Sequence, residues 1–156
     1  MPEKSQARPA AALALTVLLT TGTATLAGEG HDDGDFVGHM SRMQYFSHKL
    51  GLAVSARNQP LQGYYVHEVE EVIEAVSQVE QYKGIAVGEL VKTILEPAFE
   101  DLEDAVAKAS PDRVDAAYDG LLEACNTCHE AANHDFIRVE RRRDNPYMQS
   151  FAPARQ

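Results

Sequence analysis

Residues 110–129 read SPDRVDAAYDGLLEACNTCH, and this stretch decides the fold. Ser110 is a good helix N-cap, Pro111 suits the first helical position, and Asp112 suits the positive helix start. Val114, Tyr118, Leu121, Leu122 and Cys125 then recur with helical period. The pattern predicts a helix that runs on to about Arg142. On a helix, residues three and four apart share a face. Cys125, Cys128 and His129 therefore sit on one side of one helix, within little more than a turn.

Upstream, three more segments carry helical period and none alternates like a strand. The first spans about 35–58, with Phe36, Met40, Met43, Leu50 and Val54 on its stripe, Phe46 beside it, and Gln59-Pro60 ending it. The second spans about 60–83, where Leu61, Tyr64, Tyr65, Val69, Val72, Ile73, Val76 and Val79 form the apolar face and Gly84 is the stop. The third spans about 88–109, with Leu90, Ile94, Leu95, Ala98, Leu102, Ala105 and Val106 inward and a bend expected at Pro97. Four amphipathic helices with short joins predict an all-α, antiparallel four-helix bundle over 35–143. Residues 144–156 hold Pro146 and Pro153, show no periodicity, and are expected to form an extended tail.

Cys-x-x-Cys-His is the attachment pattern for c-type haem. Two cysteines at this spacing present both sulfurs to the haem vinyl groups, and the histidine one turn on supplies an axial iron ligand. Other uses fit less well. A redox-active Cys-x-x-Cys opens a helix after a strand, structural zinc needs two further ligands from afar, and a disulfide here would strain a regular helix. A carboxylate-bridged di-metal site needs Glu three residues before His, and none of the six histidines has it. His67-Glu68 starts like a zinc-protease motif, but Glu71 stands where the second histidine belongs.

The motif in the last helix of a four-helix chain with an expected export signal resembles the class II c-type cytochromes, the cytochrome c′ and cytochrome c-556 group. The resemblance covers roughly 35–143 as architecture and Cys125, Cys128 and His129 as motif. The segment after the motif is longer than members of that group usually carry. The resemblance implies one covalent haem c held by Cys125 and Cys128, with His129 as the axial iron ligand. It implies a distal residue from the first helix: Met in electron carriers, an apolar side chain in gas-binding members. Met40 and Met43 both lie on the inward stripe and are candidate distal ligands; each also reads as core packing. Members often pair through their first two helices, and the Tyr64–Tyr65 region suits either such a homodimer contact or the core.

Residues 1–27 read as an export signal. Lys4 and Arg8 precede an apolar run from Ala10 to Leu19, and small residues up to Ala27 suit cleavage. Residues 28–34 are expected to be a flexible N-terminus. No other apolar run is long enough to cross a bilayer, so stable membrane insertion is not expected and the expected location is the periplasm. Loss of the leader removes Lys4, Arg8 and Glu3, leaving 12 basic and 23 acidic residues. That balance disfavours nucleic acid as a partner, because phosphate neutralisation needs a basic face. Between Glu68 and Glu123 there are 15 acidic and 4 basic residues. The acidic surface favours a basic redox protein as partner at low salt. Arg138, Arg141, Arg142 and Arg143 reverse the balance and read as a solvated helix end or as partners of haem propionates.

The remaining histidines read as secondary. His48 is five positions past Met43 and faces elsewhere unless the bundle is rotated, which leaves it a further candidate distal ligand. His39 lies beside the stripe, His67 lies on the Glu-rich face, and His134 reads as a haem-edge or surface residue. The expected function is electron transfer by a mono-haem carrier, not an enzyme in its own right. The alternative is a five-coordinate haem protein that binds or senses NO or CO. A third reading makes the tail a docking segment within a larger complex.

Overall fold

The computed structural model describes residues 32–154, with side chains from residue 36 onward. The expected leader, residues 28–31 of the expected flexible N-terminus, and the last two residues of the tail lie outside the described part. The fold is all-α. Its helices are α1 (Asp32–Ser55), α2 (Gln59–Ser77), α3 (Val87–Leu90), α4 (Glu96–Ala107) and α5 (Pro111–Ala131), and a π-helical turn, Val91–Leu95, joins α3 to α4. α1 packs on α2, α2 on α4, α4 on α5, and α5 back on α1. The core between them is the expected one. Leu50, Val54, Val69, Val72, Val76, Leu102, Val114 and Leu121 are fully buried. Each such side chain removed from water contributes about 1.5–3 kcal/mol before conformational entropy is subtracted.

Several boundaries differ from the periodic pattern, each for a local reason. α2 stops at Ser77 instead of near Lys83. The chain then forms a tight turn in which Tyr82 and Ile85 exchange backbone hydrogen bonds at 2.9 and 3.0 Å. Lys83 and Gly84 at its corner both have positive φ, as a type I′ turn requires. Tyr64, assigned to the α2 apolar face, is exposed, whereas its neighbour Tyr65 is buried. Pro97 is accommodated by the π-helical turn just before it, where the Glu96 N–H reaches the Val91 carbonyl. Widening that turn absorbs the donor that proline cannot supply.

The largest departure is the end of α5. The helix stops at Ala131, eleven residues short of Arg142. Asn133 takes a left-handed conformation with φ 57°. The Asn133 N–H donates to the Glu130 carbonyl at 3.0 Å and the His134 N–H to the His129 carbonyl at 2.7 Å. This pair of bonds is a Schellman cap, which reverses the chain and satisfies the last helical carbonyls. The next twenty residues form a strap that runs back along α5 and then along α1.

The strap is anchored throughout. Asn126 of α5 bonds Val139, and Arg141 bonds Asp115 and Asp119. The Asp144 carbonyl meets His48. The Gln149 side chain accepts from Lys49 and from the Tyr65 hydroxyl. Phe151 is buried, and its carbonyl accepts from Asn58 at 3.0 Å. Residues 144–154 are thus irregular, as expected of the tail, and they pack on α1 and α2 of their own chain. Lys49 sits among Tyr45, Tyr147 and Tyr65, with its ammonium 4.6, 4.8 and 5.6 Å from the ring centres, a set of cation–π contacts that ties strap to helix.

Candidate haem site

α1, α5, the π-helical turn and the strap, with single turns of α2 and α3, line a cavity of about 810 Å³. This is within the size range of small-molecule and cofactor pockets, about 300–1,000 Å³. α5 supplies Tyr118, Leu122, Cys125, Cys128 and His129. α1 supplies Phe36, Met40, Met43, Ser47 and His48 from the facing side. The π-helical turn adds Val91 and Leu95, and the strap adds His134, Ile137 and Val139. Phe36 stacks on Tyr82 at 4.3 Å and closes one end.

The motif residues stand together as the spacing predicts. Cys125 and Cys128 are free thiols, both partly buried. Burial, and then the neighbouring Cys128 sulfur, push the Cys125 thiol up to about 12, and burial also raises Cys128. Both sulfurs are therefore protonated at neutral pH. His129 Nδ1 lies 2.8 Å from the Ile137 carbonyl. A carbonyl can only accept, so Nδ1 carries the proton and the Nε2 lone pair is left to bind a metal. Among the described residues, no group of three or more His, Cys, Asp and Glu is arranged to hold a bare metal ion.

The α1 side carries both candidate distal sulfurs. Met43 is buried at 7% exposure, and Met40 is half-buried. Ser47 is buried as well, and its hydroxyl has no hydrogen-bond partner. The other two serines of α1 bond back one turn, Ser41 to Val37 and Ser55 to Gly51. Ser47 leaves that bond unmade. Its carbonyl accepts instead from the Tyr118 hydroxyl at 2.9 Å. That contact needs Gly51, where an added Cβ would collide with the Tyr118 ring and hydroxyl.

The histidines separate clearly. His48 lines the cavity, contrary to the expectation that it faces elsewhere. Both its nitrogens are engaged, Nε2 with the Asp144 carbonyl and Nδ1 with the Tyr147 hydroxyl, each at 3.1 Å. It is a strap anchor. His39 has a buried Nδ1 with no partner and is not among the cavity residues. His67 is exposed beside Glu70 and Glu71, as its place on the Glu-rich face predicts. His134 lines the cavity, with Nδ1 bonded to the Ala132 carbonyl at 2.7 Å.

The arginine run lies on the strap and not on a helix end; Arg138, Arg142 and Arg143 are exposed, as expected, but Arg141 is not. Arg141 is held by Asp115 and Asp119 at 2.9 and 2.8 Å and lies 4.7 Å over the Tyr118 ring. Desolvation opposes its charge, but the Asp115 hydrogen bond and the Asp119 charge outweigh that and raise its pKa. Arg138 and Arg142 reach the cavity rim.

Sequence reasoning missed Asn126, Ile137 and Val139 as members of the site. Their roles depend on the chain reversal at Asn133. An Asn one or two residues past a helical pattern is the signal that could have located it. The donor set fits a covalently held haem: two thiols and a free imidazole nitrogen on one wall, thioethers opposite, and an apolar enclosure. Comparison with protein-family models, with curated proteins and with solved structures finds no match.

Proposed function

We propose that the chain is an exported, periplasmic mono-haem c-type cytochrome that carries electrons and is not a catalyst in its own right. In this reading the helices form an antiparallel four-helix bundle with haem c on α5. Cys125 and Cys128 hold the group through thioethers, each made by addition of S–H across a vinyl double bond without net oxidation. His129 binds iron through Nε2. Haem c bound there supplies a one-electron Fe(III)/Fe(II) couple. The chain's own contribution is to orient the ligands, exclude water and leave a haem edge accessible.

One observation carries the proposal. Cys125, Cys128 and His129 line a single apolar cavity with Met43 and Met40. Met43 is the better distal ligand because it is the more buried of the two. Methionine ligation favours a high potential and electron transfer. The acidic helices favour a basic-faced redox partner, whose docking weakens as salt rises. The exposed Tyr64 keeps the α2 surface available for a homodimer contact.

The unpartnered Ser47 hydroxyl favours a second reading, in which iron is five-coordinate and an exogenous NO or CO accepts a hydrogen bond from Ser47. Absorption spectra of the exported protein, reduced and oxidised, with and without CO, decide between the two. The carrier reading predicts a low-spin spectrum that CO leaves unchanged and that turns high-spin in Met43→Ala. A high-spin wild-type spectrum that CO shifts would replace it with the gas-binding reading.

A further inference from the structure

We infer that Asn126, a spacer residue inside the Cys-x-x-Cys-His motif, is a positioning residue for the axial imidazole. The inference rests on the haem reading above. The Asn126 Nδ2 donates to the Val139 carbonyl at 3.0 Å, and its Oδ1 accepts from the Val139 N–H at 2.7 Å. The carboxamide thus pairs with both main-chain groups of one strap residue, as a neighbouring strand would. Two residues earlier, the Ile137 carbonyl accepts from His129 Nδ1 at 2.8 Å. Asn126 and His129 are three apart on α5 and share a face. Ile137 and Val139 are two apart on the strap, so one clamp sets the position of the other bond.

The Ile137 N–H also donates to the His134 carbonyl at 2.8 Å, and Arg141 anchors the strap further on, but neither ties the strap to the haem-motif turn of α5. Among residues 138–140, the two bonds to Asn126 are the only hydrogen bonds. Ile137 is 46% exposed, so without the clamp water competes for its carbonyl. The other spacer, Thr127, is exposed and bonds back to the Glu123 carbonyl within α5. Aspartate could not replace Asn126, because a carboxylate offers no donor to the Val139 carbonyl.

The consequence is electronic as well as geometric. A histidine that donates Nδ1–H to a carbonyl is held in one tautomer and orientation, and its Nε2 becomes a stronger donor to the metal. A stronger imidazole donor favours Fe(III). Loss of the clamp therefore raises the midpoint potential. Losses from removing such outer partners are typically about 10–100-fold in metal affinity or activity.

The test compares haem-loaded, full-length Asn126→Ala with wild type and with Thr127→Ala as control. Midpoint potential is read by spectroelectrochemistry, and exchange of the His129 Nδ1 proton by NMR of the reduced protein. Asn126→Ala is expected to lose about tenfold in Fe(III) preference, a rise of about 59 mV for one electron, with at least tenfold faster Nδ1 proton exchange. Thr127→Ala leaves both unchanged. Val139→Pro keeps the motif intact, deletes the donor to Asn126, and moves both readouts the same way if Asn126→Ala does not accumulate. Covalent haem with wild-type potential and exchange in Asn126→Ala or Val139→Pro would overturn the role of Asn126 alone. A wild-type chain without covalent haem would overturn the haem reading instead.

Discussion

Arg141→Met removes every polar contact of the strap's central anchor and keeps most of its aliphatic bulk. The Arg141 side chain is only 15% exposed. Its Nη1 and Nη2 bond the Asp115 carboxylate and carbonyl, each at 2.9 Å, and its Nε bonds Asp119 at 2.8 Å. The part-buried charged hydrogen bonds to Asp115 contribute about 1.5–3 kcal/mol. The Asp119 pair is mostly exposed on the carboxylate side and adds about 0–1 kcal/mol. The Tyr118 ring adds about 0.5–1 kcal/mol. Asp115 is not orphaned, because Arg57 holds it at 2.7 Å. The net expectation is about 2–5 kcal/mol lost from strap docking, or roughly 30-fold to several thousandfold in its opening equilibrium. Native-state hydrogen exchange reads this at the Val139 amide, which is protected through Asn126. Protection there should fall by that factor while amides in the middle of α2 and α4 change far less, because strap opening is local. Unchanged Val139 protection would refute the anchoring role. An equal fall everywhere would refute the strap as a separate unit.

Three further outcomes follow from the same contacts. Gly51→Ala drives a methyl into Tyr118 and should destabilise the fold by about 1–3 kcal/mol, read as a lower urea midpoint; an unchanged midpoint would show that the α1–α5 contact is loose. In the haem-free chain, Cys125 rises from 9.0 to about 12, so its thiolate fraction at about pH 8 is roughly a thousandth of an ordinary thiol's and alkylation slows accordingly. The same shift fixes the sign of its pH dependence. A folded-state pKa above the unfolded value contributes stability that is intact below about 9 and lost as pH climbs toward about 12. Urea unfolding of the haem-free chain should show that loss, and Cys125→Ser should flatten it. Tyr147→Phe deletes the hydroxyl bonded to His48 and should weaken strap docking by about 0.5–1.5 kcal/mol; stability equal to wild type would mean that His48 is anchored by Asp144 alone.

The helices were legible because their information is local. The stripe from Met43 to Val54 and the Ser110-Pro111 start of α5 lie within a few residues of the structure they specify. The motif was legible for the same reason: a spacing of three and four on a helix fixes a shared face whatever surrounds it. The end of α5 was not, because Ile137 and Val139 continue an apolar rhythm past Asn133, and only the left-handed turn there shows that they belong to the strap. The strap's anchors join Asn58 to Phe151, Tyr65 to Gln149 and Arg141 to Asp115. Such pairs are far apart in sequence and leave no periodic trace. Gly51 has the same character: its need for glycine lies in Tyr118, not in its neighbours on α1. Ser47 reads as an ordinary helical serine until its buried hydroxyl is seen to lack a partner.

The central claim is that Cys125 and Cys128 carry haem covalently. Intact-mass measurement of the chain, exported from a host that matures c-type cytochromes and denatured before analysis, tests it most directly. The account predicts a mass equal to the polypeptide plus one haem, reduced to bare polypeptide when both cysteines are replaced by alanine. A wild-type chain that arrives at the mass of the bare polypeptide, with two free thiols, would contradict it.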